Sequence, residues 1–582
     1  MPRFRIPARL GLLCLLLAGV ARAQGFDEML PDSTVFYISV ENYGRTQERW
    51  KTCPLSAFWN DEAVKAFTEQ PLKKWSEWMD EARAESGITP EEVLGVVSGQ
   101  VALAITSITP QEGKDDKVAM VILADVGSNA DKVKELISKA EAREAEKKEL
   151  GRQEEEFEGV TIVSYAPDSE EEGAEQSCWL LDGKLFAMSN DTANLKALLA
   201  QRGHPGEGTL SAREGYRKVR ERLGGRGDLV AYVDGGNLFK ALREGKDGPG
   251  EEGMKIMDAL GLTAIQGAGL QLALEDQGIA LNLHILMSGP KEGILKLFGG
   301  QNAGLSAPGW VPADAASWGA WVLDLNDLWD EAMKVADKIE AGSSMKVDGW
   351  LQSRKAQTGV DIKADLLGSL GDQLNFYTKV ADPNEPGAFL PLPGLGAMRM
   401  PRFGFAIQVK NHQAFSAAVD GLLAQALAGG MIQEETYLDS KLRSLQMGMP
   451  GMTPCFVVLP DQFLFAFNLD DLKEVVGRYG KEELKGLADS GDYAKAMAGL
   501  PAQCNMLSYS DMAKGLSGSS WITTLNVMGQ NLFDKSRFPS LEVLKRYLGA
   551  STSVGINEED GWFYGLYYHM QKPAKAAETG GD

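Results

Sequence analysis

Hydrophobic and polar positions along this chain predict short strands that alternate with helices. The first predicted strand, Thr34–Val40, is rich in β-branched and aromatic residues, and a helix follows at Arg45–Trp50. Apolar side chains recur at helical spacing through Asp61–Ala82, which predicts a longer helix. A further amphipathic helix is expected over Asp131–Glu149.

Tight turns connect several of the predicted strands. An Asp-Gly turn lies between Cys178–Leu181 and Leu185–Ser189, and a four-residue turn joins Ile265–Leu274 to Ile279–Met287. Strands joined so closely are antiparallel, because a parallel pair needs a crossover of a dozen residues. The pattern therefore predicts an α+β fold with an antiparallel sheet and helices packed on one face. Other predicted elements of this part are Gln100–Thr106, Lys117–Val126, Val160–Ser164, Thr192–Ala200, Ala212–Leu223 and Leu229–Val233.

The sequence also contains an internal repeat. Cys178–Leu223 aligns without a gap on Cys455–Leu500, with Tyr216 matched to Tyr493. Further matches are Leu30-Pro31-Asp32 with Val311–Asp314, Glu275 with Glu558, and Gly278 with Gly561. We therefore expect a tandem duplication of one α+β domain. The predicted segments are a signal peptide at 1–23, a first repeat at 27–298, a linker at 299–310, a second repeat at 311–573 and a disordered tail at 574–582.

The amino terminus predicts export. Arg3, Arg5 and Arg9 precede the short apolar run Leu10–Val20, and Ala21-Arg22-Ala23 has small residues where a signal peptidase cleaves. The apolar run is too short to cross a bilayer. We expect an exported protein, periplasmic or extracellular, with no transmembrane segment after signal cleavage.

Charge excludes one class of partner. The formal net charge is −22, and loss of the four signal-peptide arginines makes it −26. An acidic chain repels phosphate backbones, so no nucleic-acid partner is expected. The acidic residues concentrate at Glu141–Glu158 and Asp168–Glu175, which we interpret as solvated helix faces and loops.

Catalytic motifs are absent from the sequence. It contains no G-x-S-x-G, H-E-x-x-H, Walker or C-x-x-C motif, and its four histidines lie far apart. Cys178 and Cys455 are expected to be buried strand residues, whereas Cys53 and Cys504 remain open to disulfide pairing. We assign no catalytic residue, no cofactor and no metal site.

Four polar residues end strands where short helices begin. An Asp or Asn at such a position is far more often a helix cap than a metal ligand. We therefore interpret these residues as caps: Asn42, Asp234, Asp324 and Asp511.

Two loops of the second half differ in character from the rest. The loop before Cys178 is acidic, whereas its counterpart Met447–Pro454 is rich in Met, Pro and Gly, and Pro383–Pro401 adds a second apolar insertion. Methionine suits adaptable binding surfaces, and exposed apolar patches often mark interaction sites. The alternative is that these loops cover the second half's own core. The candidate interaction surface comprises Phe389, Leu392, Met398, Met400, Met447, Met449 and Met452.

A family resemblance rests on two short patterns. Leu30-Pro31-Asp32 opens a strand and a capped helix, and a Leu210-to-Tyr216 stretch precedes a later strand. This resembles exported bacterial proteins grouped as domains of unknown function, with a similar Leu-Pro-x-Asp opening after a signal peptide. The resemblance implies an α+β fold and export, and it transfers no active site.

Three functions remain open after these observations. The first is a non-catalytic binding or structural role in the periplasm or cell envelope, with an unknown protein or an apolar ligand as partner. The second is a carrier or sensor of a hydrophobic ligand, and the third is a hydrolase without a recognisable motif. A deep apolar cavity under Pro383–Met400 would favour the carrier, and a cleft converging on His or Ser with carboxylates would favour the enzyme.

Signal cleavage gives the first testable prediction. Amino-terminal sequencing of the exported protein should begin at Gln24, because cleavage follows Ala23. A mature protein that retains Leu10–Val20 would contradict it.

Overall fold

A computed structural model describes residues 25–111, 116–147, 150–167, 177–204, 206–225, 227–245, 248–380, 389–392, 396–399, 402–445, 453–481, 483–517 and 534–573. Helices account for 42% of the described residues and strands for 33%, which establishes a mixed helix and strand fold. The predicted signal peptide and the predicted tail at 574–582 lie outside the described residues.

The first half contains these strands: β1 (Phe36–Val40), β2 (Val101–Thr109), β3 (Lys117–Asp125), β4 (Leu150–Phe157), β5 (Val160–Pro167), β6 (Ser177–Asp182), β7 (Leu185–Ser189), β8 (Leu229–Asp234), β9 (Ile265–Glu275) and β10 (Gly278–Met287). Its α-helices are α1 (Tyr43–Thr52), α2 (Pro54–Asn60), α3 (Glu62–Ser86), α4 (Pro90–Val96), α5 (Ala130–Lys147), α6 (Thr192–Gln201), α7 (Glu214–Leu223), α8 (Gly235–Glu244) and α9 (Gly250–Ala259).

The second half contains these strands: β11 (Ser317–Val322), β12 (Leu370–Lys379), β13 (Phe389–Leu392), β14 (Gly396–Arg399), β15 (Arg402–Val409), β16 (Ile432–Tyr437), β17 (Ser440–Leu445), β18 (Cys455–Val458), β19 (Gln462–Ala466), β20 (Met506–Asp511), β21 (Leu548–Glu558) and β22 (Gly561–Met570). Its described α-helices are α10 (Leu325–Ile339), α11 (Ser343–Thr358), α12 (His412–Ala428), α13 (Leu469–Arg478), α14 (Gly491–Met497), α15 (Met512–Ser517) and α16 (Leu541–Tyr547).

Twenty of these strands form one sheet in which every pairing is antiparallel. The first half is ordered β4-β5-β6-β7-β3-β2-β1-β8-β9-β10. The second half is ordered β16-β17-β18-β19-β15-β12-β11-β20-β21-β22. Strands β10 and β22 pair from Gly278↔His569 to Leu286↔Gly561, and we call this junction the seam. The predicted antiparallel sheet is confirmed, and it runs continuously through both halves.

Both outermost strands carry acidic residues. β4 contains Glu154, Glu155 and Glu156, and β16 contains Glu434 and Glu435. Charged side chains on an edge strand discourage pairing with another chain. The interpretation of this acidic run as helix faces and loops is wrong for β4, because three consecutive exposed glutamates on an edge strand look like a solvated helix in the sequence.

One side of the sheet, which we call the core face, is built on matched aromatic contacts. Tyr216 of α7 packs edge-on against Tyr37 and Tyr232, with ring centroids 6.1 and 5.0 Å away. In the second half, Tyr493 of α14 contacts Trp318 and Tyr509 at 6.1 and 5.3 Å. All six side chains are buried. Tyr216 and Tyr493 thus occupy corresponding helices, and Gly278 and Gly561 each begin the last strand of their half.

Helices also pack on the other side of the sheet, which we call the opposite face. In the first half, Val133 of α5 lies in one apolar cluster with Ala124 of β3. In the second half, Phe415 and Val419 of α12 pack with Phe456 of β18. The expectation of helices on one face is therefore wrong. Its cause is that strands such as β15 are apolar on both sides, which is the pattern of a sheet covered on both faces.

The four predicted caps are confirmed. Asn42 accepts a hydrogen bond from Arg45 N–H, and Asp234 accepts one from Asn237 N–H. Asp324 accepts from the N–H groups of Asn326 and Asp327, and Asp511 accepts from Lys514 N–H.

The four cysteines of the described residues are free thiols, so Cys53 and Cys504 are not bonded to each other. Cys178 and Cys455 are fully buried and donate to the carbonyls of Ser189 and Ala466, at 3.2 and 3.3 Å. Burial raises the pKa of Cys178 to about 11 and that of Cys455 to about 12. Both thiols are therefore poor nucleophiles at neutral pH.

The predicted linker packs against the second half. Ala303 forms a two-way backbone bridge with Cys504, and Ala307 N–H donates to the Tyr493 hydroxyl at 3.0 Å. Trp310 is buried. Within the described residues, no helix has both the length and the apolar character needed to cross a bilayer.

Tyr493 supplies a prediction on stability. Tyr493→Ala should lower the free energy of unfolding by about 3–5 kcal/mol, because it leaves a cavity between Trp318 and Tyr509. Tyr493→Phe should cost about 1–3 kcal/mol, because only the acceptor for Ala307 N–H is lost. Urea denaturation measures both values, and equal costs for the two variants would contradict the packing role of the ring.

Candidate functional site

A row of phenylalanines crosses the opposite face of the second half. Cross-strand register places Phe376 beside Phe405, Phe405 beside Phe465, and Phe465 beside Phe456. We call these four residues the phenylalanine row. The rings of Phe405 and Phe465 stack with centroids 5.0 Å apart, and Phe467 meets Phe465 edge-on at 5.1 Å.

The row is covered only in part. Phe456 is buried, whereas Phe376, Phe405 and Phe465 are half-buried. Residues between them on the core face, such as Ala406 and Ala466, are buried. The rings therefore keep part of their surface in water, at a cost in free energy that a bound apolar group would remove.

Gly319 makes room for this arrangement. A Cβ atom at Gly319 would lie 2.2 Å from Cζ of Phe376, well inside van der Waals contact. Strand β11 therefore needs glycine at this position if the Phe376 ring is to lie across it.

The two predicted apolar loops begin and end beside this row. Segment 381–401 lies between β12 and β15, and segment 446–452 lies between β17 and β18. Thr453 N–H donates to the Phe467 carbonyl at 2.9 Å, and Phe467 N–H donates to the Phe403 carbonyl at 3.4 Å. Thr453, which follows one segment, thus lies at the same end of the strands as Phe403, which follows the other.

The predicted surface residues themselves are mostly outside the described part. Phe389, Leu392 and Met398 lie on the β13–β14 hairpin, which pairs with itself, and their side chains are not described. The other four predicted residues lie outside the described residues: Met400, Met447, Met449 and Met452.

Beside the phenylalanine row lies a group of hydroxyl residues that sequence reasoning missed. Register places Ser551, Ser510, Ser317 and Thr378 in one line across four strands, and Thr378 lies opposite Phe403. Ser553 and Ser508 form a second, shorter line that continues through Gly319 into the phenylalanine row. We call the six hydroxyl residues the hydroxyl strip.

The hydroxyl strip can form further hydrogen bonds. The hydroxyl oxygens of Ser317 and Thr378 are 2.6 Å apart, as are those of Ser508 and Ser553. Each pair shares one hydrogen, which leaves the other hydroxyl hydrogen and several lone pairs able to meet another group. On the same face, the Trp321 indole N–H is buried without a hydrogen-bond acceptor among the described residues.

The first half has a different surface at the same sheet positions. Where the second half has its phenylalanines, the first has Leu103, Ile122 and Met188 in register. Met188 and its neighbour Met120 are 42% and 38% exposed, so this half also presents apolar surface to water. The residues that replace the hydroxyl strip are all apolar: Phe36, Ile105, Ala231, Val233, Ala268 and Leu270.

His284, His412 and His569 have separate surroundings. His284 is 2% exposed on β10, with Nε2 3.5 Å from Glu558 Oε2. Nδ1 of His412 lies 3.0 Å from the Leu459 carbonyl, and Nε2 of His569 lies 3.3 Å from the Thr552 hydroxyl. No group of three or more metal-ligating side chains occurs among the described residues.

A separate open cavity of about 740 Å³ lies between α8, α9 and Lys338. Its lining has charges of both signs, and Arg243 pairs with Asp258 across 3.3 Å. It is therefore not the apolar cavity that a carrier was expected to have.

Comparisons with known proteins identify no family. No protein-family profile matches the chain, and no curated protein matches it significantly. Solved structures with some likeness include TP0453 in crystal form III, with 10% identity, 47% of this chain and 85% of that chain covered, and a TM-score of 0.24. Crystal form I of TP0453 gives 9% identity, 47% and 83% coverage and a TM-score of 0.24. Likeness at this level establishes neither the fold nor the function of this chain.

Gly319 provides a test of the site's packing. Gly319→Ala should cost about 1–3 kcal/mol of stability, because the new methyl group overlaps the Phe376 ring. Adding Phe376→Leu should recover most of that loss. At the corresponding positions of the first half, a side chain at Ile38 lies opposite the smaller Leu103. Thermal unfolding measures both effects.

A matched control is Gly349→Ala on α11, where a Cβ meets no atom within 4 Å. That change should be neutral or slightly stabilising. A Gly319→Ala protein as stable as this control would contradict the close approach of Phe376.

Proposed function

We propose that this chain is an exported, non-catalytic binding protein for an amphiphile with an apolar chain and an uncharged polar end. The observation that carries the proposal is the phenylalanine row beside the hydroxyl strip on one partly covered face. The apolar chain lies on the rings, and the polar end lies on the hydroxyls. Export rests on the signal peptide predicted at residues 1–23.

The phenylalanine row supplies the binding energy. Phe405 and Phe465 are half-buried before any ligand arrives, so their positions are set by β15 and β19 and little ordering is required. Each square ångström of apolar surface removed from water contributes about 25 cal/mol. A ligand covering the exposed part of several rings reaches a useful affinity by this term.

The hydroxyl strip supports an uncharged polar end. Neither line of the strip contains an ionisable side chain, from Ser551 to Phe403 or from Ser553 to Phe456. The net charge of −22 also disfavours an anionic ligand. Ester, hydroxyl and amide groups can accept from Trp321 N–H and exchange hydrogen bonds with Ser510 and Ser551 without an ion pair.

The two apolar loops extend the same site in this proposal. Thr453 follows the segment that contains Met447, Met449 and Met452, and its N–H donates to the Phe467 carbonyl; Phe403 follows segment 381–401. Methionine side chains adapt to ligands of varied shape. This placement favours a carrier or sensor over a purely structural role. The hydrolase alternative receives no support from His284, because its ring is buried at the seam.

We also propose that the two halves, 27–298 and 311–573, are copies of one duplicated domain. The same order of strand pairing in both halves supports this, as do the matched thiol hydrogen bonds of Cys178 and Cys455. Opening segments correspond as well, since Pro31 bridges Thr209 and Pro312 bridges Gly486. On this view, the second copy acquired its phenylalanines and hydroxyls after duplication.

Ligand binding is tested with two probes on the full chain. Fluorescence enhancement of N-phenyl-1-naphthylamine reports on the apolar surface, and its displacement by 1-monooleoylglycerol reports on the amphiphile. Phe405→Ser with Phe465→Ser should weaken binding of the naphthylamine about tenfold or more, equivalent to about 1.4 kcal/mol. Met447→Ser, Met449→Ser and Met452→Ser together should weaken it severalfold and change stability by under about 0.5 kcal/mol.

The polar end is tested by a swap toward the first half. Ser508→Ala with Ser510→Val introduces the residues found at Ala231 and Val233. This variant should bind the naphthylamine normally and 1-monooleoylglycerol more weakly. Oleate should compete less well than the glycerol ester against the unaltered protein.

Trp350→Ser on α11 is the matched control, because this aromatic ring is 52% exposed and belongs to a helix, not to the strands that carry the row. It should leave both affinities unchanged. An equal loss of binding in this control, or normal binding in a folded Phe405→Ser, Phe465→Ser protein, would contradict the proposal.

A further inference from the structure

The seam contains a buried histidine with no hydrogen-bond partner. His284 lies on β10, in register with Phe563 of β22, and both of its ring nitrogens are unpartnered in the described structure. Only 2% of the residue is exposed. Gly561 makes room for it, since a Cβ there would lie 2.9 Å from His284 Nε2.

Every charged group around this ring belongs to a contact between the two halves. Glu558 of β21 approaches the ring, and Arg222 of α7 pairs with Glu558 across 2.6 Å. The Arg222 guanidinium also lies 3.6 Å from the centroid of the Phe563 ring. Lys291 Nζ donates to the Glu558 carbonyl at 2.7 Å. Asp560, on the turn between β21 and β22, lies 3.7 Å from Lys218 of α7.

These charges do not favour a protonated, positively charged His284. Glu558 is already paired with Arg222, so a proton on His284 would add positive charge beside that guanidinium. Burial lowers the pKa of His284, and Arg222 lowers it further, against the opposing effect of Glu558 and Asp560. In the closed seam, the ring is therefore neutral at physiological pH.

The other end of the seam has a different arrangement. There Tyr567 of β22 lies near Glu275, the residue matched to Glu558 in the internal alignment. Burial raises the pKa of Tyr567 to about 12. His569 also lies at this end, in register with Gly278, and burial lowers its pKa as well. The two ends differ because His284 is buried with neither ring nitrogen hydrogen-bonded, whereas His569 is half-buried and its Nε2 lies 3.3 Å from the Thr552 hydroxyl.

We propose that His284 makes the junction between the two halves acid-sensitive, so that β10 and β22 separate more readily below about pH 6.5. In an opened seam, His284 reaches water and takes up a proton near pH 6.5. In the closed seam, it takes up that proton only at lower pH. Acid therefore favours the opened form, by up to about tenfold in population for each pH unit below 6.5.

Hydrogen exchange on the full chain tests this inference without any ligand. Protection factors of amides in 278–287 and 561–570, corrected for the intrinsic pH dependence of exchange, should fall about fivefold between pH 6.5 and pH 5.5. His284→Tyr introduces the residue found at the equivalent position 567 and should abolish that fall. His284→Gln should abolish it as well. If both variants agree, the loss of pH dependence is not an effect of the introduced tyrosine ring.

His569→Gln is the matched control, because His569 lies on β22 at the opposite end of the seam. It should leave most of the acid-induced loss of protection in place, because His569 is only half-buried and its Nε2 lies 3.3 Å from the Thr552 hydroxyl. Protection that does not change with pH in the unaltered protein, or a loss that persists in both folded His284 variants, would overturn the proposal. Neither result depends on the amphiphile assigned to the phenylalanine row.

Discussion

The single continuous sheet depends on backbone hydrogen bonding between β10 and β22, because each of these strands would otherwise be an edge of the sheet. An exposed edge leaves N–H and C=O groups without partners and invites association with other chains. The antiparallel seam satisfies these groups and merges the halves into a single sheet. The only remaining edges of that sheet among the described residues are β4 and β16, and both contain acidic residues.

A continuous sheet with two faces also explains how the two halves can have similar packing on the core face and different residues on the opposite face. Tyr216 and Tyr493 pack on equivalent aromatic residues of the core face, where any change leaves a cavity. The opposite face is only partly covered, so its residues can change at a lower cost in stability. Leu103, Ile122 and Met188 in one half correspond to phenylalanines in the other. The hydroxyl strip likewise replaces apolar residues.

Much of the fold was predictable from local patterns, and the failures have identifiable causes. Caps such as Asp234 and the hairpin at Leu185–Ser189 depend on neighbouring residues, and both predictions are confirmed. Strand β4 was missed because its acidic residues suit an exposed helix as well as an edge strand. Helices on the opposite face were missed because apolar residues on both sides of β15 do not reveal what covers them.

The sequence by itself determined the alternation of strands and helices, the antiparallel hairpins, the cap positions and the internal similarity around Tyr216 and Tyr493, because each of these depends on short-range spacing. Only the tertiary structure decided that Phe376, Phe405, Phe465 and Phe456 form one row, since their four strands pair in an order, β12-β15-β19-β18, that differs from their order in the chain. The same is true of the hydroxyl strip and of His284 beside Glu558. Such groups are defined by cross-strand register, which one strand's own residues do not specify.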